Sequence, residues 1–215
     1  MLVRGCAWAP PRVREPSQFM ELQELRKAIG DITTKEQDVS RHAALIGALP
    51  DHTIRPLRRG DARKPAADRY NSFGFALDLA DSERHIAVAT HFRNIHSDNA
   101  FVSYLLKNGA LEEAQPDSLR KGDVVIYFHN ADPAHAGKVF GDRVISKWGL
   151  GNLWEHALFE IPASYGSDVR YFRALGAGPA ETAFLKYAQS RGVQLHRVPG
   201  FTTVKSVKSV NSVKV

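Results

Sequence analysis

Apolar residues recur at helical spacing through the first fifty positions of the chain. After Ser17 they fall three or four positions apart, at Phe19, Leu22, Leu25 and Ile29. Ser17 is a suitable N-cap and Gly30 a suitable stop, so this run predicts an amphipathic helix. A second apolar run between residues 34 and 49 has a similar period. Together the two runs predict a helical hairpin that packs onto a larger domain.

Two further segments carry helix signals. Residues 68–80, DRYNSFGFALDLA, read as a loop that enters an apolar helix after Asn71 and Ser72. Asp98 precedes the apolar run AFVSYLLK and would cap a helix that Gly109 ends.

From Arg120 onwards the pattern becomes that of strands. A turn precedes the apolar run Val124–Phe128, and HAGKVF and DRVISKW predict two strands around a tight turn at Gly141. ALFEIP and VRYFRAL continue the series, and Glu181–Ser190 predicts a last helix. Helices that precede a run of strands indicate an α+β domain.

These elements divide the chain into three parts. Residues 1–66 are expected to form a leader and the helical hairpin, and residues 67–200 the main domain. Residues 201–215 predict a flexible basic tail, because their period of three fits neither a helix face nor an alternating strand. Residues 50–69 are rich in Pro, Gly and Arg and predict a connector or a surface loop.

Composition and charge narrow the possible partners. The 215 residues carry a formal net charge of +6 and a pI near 9.5, which favours anionic partners. The basic residues are spread out and lack an aromatic-basic motif, so a nucleic-acid partner is not expected. No apolar run approaches the roughly 20 residues of a membrane span. The charged, proline-containing leader makes a poor signal peptide, so we expect synthesis in the cytoplasm and secretion only by a dedicated machine.

The sequence offers no metal site and no cofactor motif. Cys6 is the only cysteine, so an intramolecular disulfide and a cysteine-based metal site are excluded. His85, His91 and His96 are spaced neither as adjacent strand positions nor as an i, i+4 helical pair. We therefore expect no metal at these histidines.

Three short motifs could together carry nucleophilic chemistry. Asn71-Ser72 begins a helix, Gly122-Asp123 begins a strand, and His135-Ala136-Gly137 begins the next strand. Acyl transfer needs a nucleophile, a base within hydrogen-bond reach and a third group that orients the base. A nucleophile on a helix that faces a histidine on a strand would meet the first two needs.

The order of these motifs resembles the NlpC/P60 and CHAP-like amidases of the papain-like superfamily. GDVVIYFHNADPAHAGKV is similar to their pattern of a Gly-Asp strand followed by a His-apolar-Gly strand. RVISKWGLGNLWEH resembles uncharacterised bacterial papain-like domains with S-K-x-G and E-H motifs. The resemblance covers roughly residues 68–173. It implies a papain-like domain in which helices pack on a small antiparallel sheet or half-barrel.

The resemblance also implies roles for particular residues. Ser72 occupies the position of the family's cysteine, and His135 that of its base. The third group would come from the next strand or just beyond it, where Ser146 and His156 are the candidates. We favour His156, because an imidazole can accept and orient a proton. Residue 72 would attack a carbonyl after losing its proton to His135, and N–H groups at the helix start would hold the oxyanion.

Serine at position 72 departs from the family pattern. A cysteine thiol, with a pKa of about 8.5, readily forms an ion pair with a neighbouring histidine. A serine hydroxyl is not ionised at neutral pH and depends on a well-oriented base. We therefore expect the chain as written to be nearly inactive, either as an engineered Cys-to-Ser exchange or as a natural pseudoenzyme.

The resemblance implies a hydrolase of peptide or amide bonds, with bacterial peptidoglycan as the leading substrate. An antibacterial effector of this kind would need an immunity protein as a partner. The alternatives are a deamidase or protease acting on host proteins, and a non-catalytic module that binds cell-wall peptide or a protein partner. In each case residues 16–49 could form a lid over Ser72.

Each of these residues also has an ordinary structural interpretation. Ser72 would cap its helix, and His135 would be held by a backbone carbonyl. Asp123 would stabilise a turn, and Trp148 and Trp154 would pack in the core. Only the ordered combination favours the functional interpretation.

Overall fold

A seven-stranded sheet forms the centre of the computed structural model, which describes residues 20–58, 70–149, 151–198 and 201. Its strands are β1 (Arg55–Arg58), β2 (Glu113–Ala114), β3 (Val124–His129), β4 (Asp132–Phe140), β5 (Arg143–Lys147), β6 (Leu153–His156) and β7 (Asp168–Phe172). They lie in the order β1-β6-β5-β4-β3-β7-β2. All of these neighbours pair antiparallel. Cys6 and the basic tail from residue 202 fall outside the described residues, as do the predictions made for them.

Six α-helices of the described residues accompany the sheet. They are α1 (Leu22–Lys35), α2 (His42–Gly47), α3 (Ser72–Ala76), α4 (Glu83–His91), α5 (Asn99–Lys107) and α6 (Ala177–Ser190). A short 3₁₀ turn, Ala163–Tyr165, precedes β7. Helices and an antiparallel sheet together confirm the predicted α+β class. None of the helices in these ranges has the length and apolar character needed to cross a membrane.

Helices cover both faces of the sheet. Successive side chains of each central strand point to opposite sides and so contribute to two separate cores. On one face, Val124, Ile126 and Phe128 of β3 join a core with apolar side chains of α3, α4, α5 and α6. We call this the α3 face. On the other face, Val125 and Tyr127 join a core with side chains of α1 and α2. We call this the α1 face.

The helix signals were read correctly in kind and less well in extent. Asp98 caps α5 as predicted, since its Oδ1 accepts hydrogen bonds from the N–H groups of Ala100 and Phe101 at 3.0 and 3.1 Å. The predicted stop at Gly30 is wrong, because α1 continues to Lys35. Between residues 34 and 49, a 3₁₀ turn leads into the six-residue helix α2 instead of one long helix.

The strand run is confirmed for β3, β4, β5 and β7, and corrected around β6. The segment ALFEIP does not form a strand, because β6 ends at His156 just before it. Inside that segment, the Glu160 carboxylate accepts hydrogen bonds from the N–H groups of Ala157 and Thr53 at 3.0 and 2.8 Å. The basic connector also contains β1, which forms one edge of the sheet.

Candidate functional site

Ser72 is the first residue of α3 but does not cap the helix. The cap is Asn71, whose Oδ1 accepts a hydrogen bond from the N–H of Gly74 at 2.8 Å. The Asn71 amide also donates to the carbonyl of Ser97 at 2.9 Å, which fixes the start of α3 against the loop before α5. Ser72 is 7% exposed. The capping interpretation of Ser72 is therefore corrected, and the residue is free of that role.

His135 lies in β4 and is completely enclosed on the α1 face. Its ring stacks on Tyr165 with a centroid separation of 4.0 Å and an interplanar angle of 13°, and it lies 5.6 Å from the ring of Tyr127. Its Nε2 atom has no hydrogen-bond partner among the described residues. Burial, together with the neighbouring His156, lowers the pKa of His135 well below its ordinary value, so the imidazole is neutral at physiological pH.

The helix that carries Ser72 packs on the opposite face of β4. Lys138 forms an ion pair with Asp78, just beyond α3, and its ammonium lies 5.7 Å from the ring centroid of Phe75. Ala136 belongs to the same core as Phe73. Because side chains alternate along a strand, Ala136 and Lys138 point to the α3 face and His135 points away from it.

The structure therefore does not bring Ser72 and His135 together as a nucleophile and its base. A transfer of a proton between them would require His135 to reach around its own strand. The facing of His135 does not support the pairing expected from the resemblance, although both residues lie on the elements predicted for them.

The two candidates for the third group, Ser146 and His156, are hydrogen-bonded to each other. Ser146 Oγ lies 2.8 Å from His156 Nε2, and Trp148 Nε1 donates to Ser146 Oγ at 2.9 Å. His156 Nδ1 lies 2.8 Å from the carbonyl of Ala157 and must donate to it. Nε2 of the neutral ring is then the acceptor, and the serine hydroxyl donates to it.

This network is fully enclosed on the same face as His135. Ser146 and His156 are both 0% exposed, and Trp148 stacks on Trp154 at 4.9 Å. Burial lowers the pKa of His156 to about 4, which keeps its ring neutral at physiological pH. The structure thus places His135, Ser146 and His156 on one face of three consecutive strands, and leaves Ser72 on the other.

Breaking the network should cost stability. Ser146→Ala leaves the Trp148 N–H and the His156 Nε2 atom without a partner, and each buried unpaired group costs about 1–3 kcal/mol. We expect the free energy of unfolding to fall by about 2–4 kcal/mol in urea denaturation. Ser190→Ala, at an exposed serine in α6, is the matched control and should change it by less than about 0.5 kcal/mol. Equal effects of the two substitutions would contradict a stabilising role for the network.

Asp123 has a structural role at the start of β3. Its carboxylate accepts hydrogen bonds from the N–H of Arg120 at 2.9 Å and from the guanidinium of Arg173 at 2.7 Å. It is thus a turn residue that also ties β3 to the segment after β7.

The structure shows an acidic cleft that the sequence analysis missed. It has a volume of about 370 Å³ and lies at the end of α3, between Phe75, Asp78, Asp81, Ser82 and Glu181. Lys138 neutralises Asp78, and Glu181 accepts a hydrogen bond from Ser82 at 2.7 Å. In the sequence, only the acidic residues of the segment DLADS (78–82) pointed to this cleft. Its other wall is the start of α6, about a hundred residues later.

Over the described ranges, no group of three or more His, Cys, Asp or Glu side chains could hold a metal ion.

Comparison with known proteins gives one match. A family model described as a domain of unknown function (DUF7689) matches residues 61–173, more than half of the chain. This range covers α3, the three strands that carry His135, Ser146 and His156, and the 3₁₀ turn over His135. No curated protein and no solved structure matches the chain.

Proposed function

The chain belongs to the DUF7689 family, a domain of unknown function, and we propose that it is a papain-like scaffold that binds a peptide-type ligand without cleaving it. The scaffold would be of the NlpC/P60 or CHAP type. Bacterial peptidoglycan is the leading ligand, with a protein partner as the alternative.

The order of elements supports a papain-like scaffold. The helix capped by Asn71 precedes an antiparallel hairpin, in which Gly122-Asp123 leads into β3 and the His-x-Gly motif lies inside β4, three residues after its start at Asp132. The helix packs across β4 and β5. A helix packed on an antiparallel sheet agrees with the resemblance on the α3 face, whereas α1 and α2 cover the opposite face.

The single observation that carries the non-catalytic proposal is the separation of Ser72 from His135 across β4. A serine hydroxyl becomes a nucleophile only when a base removes its proton during attack. The nearest face of the sheet instead offers Ala136 and the ion-paired Lys138. A ligand held near α3 would therefore meet no activated nucleophile.

The acidic cleft supports a ligand that carries an amino group. The Asp81 carboxylate and the Phe75 ring both line the cleft, whereas Glu181 already pairs with Arg84 at 3.4 Å, so an ammonium group would meet the Asp81 carboxylate and a ring face together. Free amino groups are common in cell-wall peptides. Binding there would occur on the α3 face, on the same side as Ser72.

An amide hydrolase is the second candidate, and the placement of three residues favours it. His135, Ser146 and His156 share one face of β4, β5 and β6. The resemblance expects a base and its orienting group on neighbouring strands in this way. In this alternative, Ser72 is not on that face, and the Ser146 hydroxyl, which donates to His156, is fully enclosed.

A Ser72→Cys exchange separates the two candidates. We expect Ser72→Cys and the original chain both to sediment with purified peptidoglycan, and neither to release soluble fragments above background, because His135 cannot reach residue 72. Release of fragments by Ser72→Cys, or toxicity only when that variant is sent to the periplasm, would establish the hydrolase. Failure of both proteins to sediment would exclude peptidoglycan and leave the protein partner.

A matched pair of acidic variants tests the cleft. Asp81→Asn removes an exposed carboxylate of the cleft, and Asp117→Asn removes an exposed carboxylate outside it. We expect Asp81→Asn to lower the sedimented fraction several-fold and Asp117→Asn to leave it unchanged. Equal losses would mean that only the overall charge matters.

A further inference from the structure

We propose that α1 latches a lid over His135, and that opening of this lid exposes the imidazole on the α1 face. The lid is the segment Ile161–Gly166, and the latch is the side chain of Arg26. The lid and its latch do not depend on the proposed function. Only the identity of the ligand that would meet His135 rests on it.

The lid covers the imidazole directly. The 3₁₀ turn Ala163–Tyr165 places the Tyr165 ring flat on His135, 4.0 Å away. The Tyr165 hydroxyl lies near the backbone of Gly149, in the turn between β5 and β6. Removal of Tyr165 from this position would uncover one whole face of the imidazole.

The latch holds both ends of the lid. Arg26 Nε donates to the carbonyl of Ile161 at 3.3 Å, and Arg26 Nη2 donates to the carbonyl of Gly166. These two carbonyls flank the 3₁₀ turn on either side. Arg26 is 3% exposed, so its guanidinium is fixed between α1 and the lid. One side chain of the N-terminal helix thus controls the segment that covers His135.

Two features of the closed state favour opening. Among the described residues, Arg26 has no carboxylate within ion-pair distance, and burial lowers its pKa. A buried cation that meets only carbonyls loses much of its hydration energy. His135 Nε2 is also buried without a partner, which costs free energy until water reaches it. Opening the lid would relieve both costs.

This placement corrects the expected target of the N-terminal helices. Residues 16–49 were expected to cover Ser72, but the side chains of α1 and α2 pack on the α1 face with Tyr127 and Trp154. Ser72 lies under no part of that core. Regulation by the N-terminal segment would therefore act on His135 and on the neighbouring Ser146–His156 pair.

Chemical modification of histidine tests the latch in the full chain. Diethyl pyrocarbonate acylates accessible neutral imidazoles, and peptide mass spectrometry reads each histidine separately. Arg26→Met removes both lid hydrogen bonds and keeps an unbranched apolar stem. We expect it to raise the modification rate of His135 about tenfold or more, since each lost hydrogen bond is worth roughly a factor of ten.

The control is Lys27→Met, one position along the same helix, where the side chain is 78% exposed and pairs with the exposed Asp31. His156 serves as the internal reference and should stay unreactive in both variants. A His135 rate in Arg26→Met that is no faster than in Lys27→Met would overturn the proposal. A parallel rise at His156 would also overturn it, because that result means general loosening of the fold.

Native-state amide exchange tests the same opening in the unmodified protein and does not depend on the folding of a variant. The N–H groups of Tyr165 and Gly166 bond to the carbonyls of Pro162 and Ala163 at 3.0 and 3.3 Å, within the lid. We expect them to exchange at least about tenfold faster than the N–H of Val125 in the central strand β3, because a segment that opens locally exchanges without unfolding of the whole protein. Exchange of both sites at the rate of Val125 would show that the lid opens only when the whole protein unfolds, and would overturn the proposal.

Discussion

Gly166→Ala should lower the free energy of unfolding by at least about 4 kcal/mol, a large part of the roughly 5–15 kcal/mol typical of a domain. Gly166 has φ 96° and ψ 172°, a backbone conformation that is essentially restricted to glycine. An added Cβ would lie 2.2 Å from the carbonyl oxygen of Phe128, so the backbone of β3 or of the lid would have to move. Urea denaturation followed by circular dichroism measures the loss.

The chain offers a control that separates strain from contact. Gly176 has φ 77° and ψ 156°, close to the conformation of Gly166, but an added Cβ there meets nothing within 4 Å. Gly176→Ala should therefore cost only the backbone strain, about 1–3 kcal/mol. If the two substitutions lower the free energy of unfolding equally, the contact of the added Cβ with Phe128 does not contribute to the loss at Gly166.

Asp123→Ala should cost about 3–5 kcal/mol, the usual result of leaving one partner of a buried ion pair alone. The Asp123 side chain is 5% exposed, and its removal takes the only paired carboxylate from Arg173 among the described residues and the acceptor from the Arg120 N–H; Arg173 keeps its bonds to Ser118. The matched control is Glu113→Ala. Glu113 also pairs with an arginine, Arg170, at 2.7 Å, but its side chain is 50% exposed, so about 0–1 kcal/mol is expected. Equal losses would contradict the structural role of Asp123.

The contribution of Asp123 should also depend on pH. Burial alone would raise the pKa of Asp123, but hydrogen bonds from Arg120, Arg173 and Ala174 outweigh it and place the pKa below its usual range. A carboxyl with a lowered folded-state pKa stabilises the protein above its unfolded pKa of about 3.9, and this stabilisation disappears as the pH falls. The difference in unfolding free energy between the original chain and Asp123→Ala should be constant from pH 7 to 5 and shrink below about pH 4. A constant difference down to pH 3 would count against this pKa.

The sequence predicted those elements whose buried positions are apolar. β3, with five consecutive buried residues, and α5, with its Asp98 cap, were both found. β6 was missed because its buried positions are Trp154 and His156, and the polar histidine hides the alternation. α4 was missed because only His85 and Val88 of its nine residues are buried. Its fixed points are the Ser82 cap and a contact of 3.1 Å between His85 and Ser97.

His135 and Ser146 were predicted on the strands that carry them and His156 was not, and the face of the sheet to which His135 points was not predictable. His135 and Ala136 are both buried, so hydrophobicity does not say which of them meets α3. The pairing of β3 with β4 shifts by one residue between Tyr127 and Phe128, and such a shift exchanges the two faces of a strand. The side on which His135 lies therefore depends on a bulge and on the rings of Tyr127 and Tyr165, which no local pattern reveals.

The N-terminal location of α1 and β1 has a consequence for how the chain assembles during synthesis. Arg26 bonds to Gly166, 140 residues later, and Thr53 bonds to Glu160, 107 residues later. The strands from β3 to β6 are joined by short connections and can pair soon after they leave the ribosome. α1 can pack on α2 early, but its bonds to Ile161 and Gly166, and the pairing of β1 with β6, form only after those later residues are made. The docking of α1 and β1 is therefore completed after the central strands have paired, and the apolar surface still uncovered in that interval is open to aggregation.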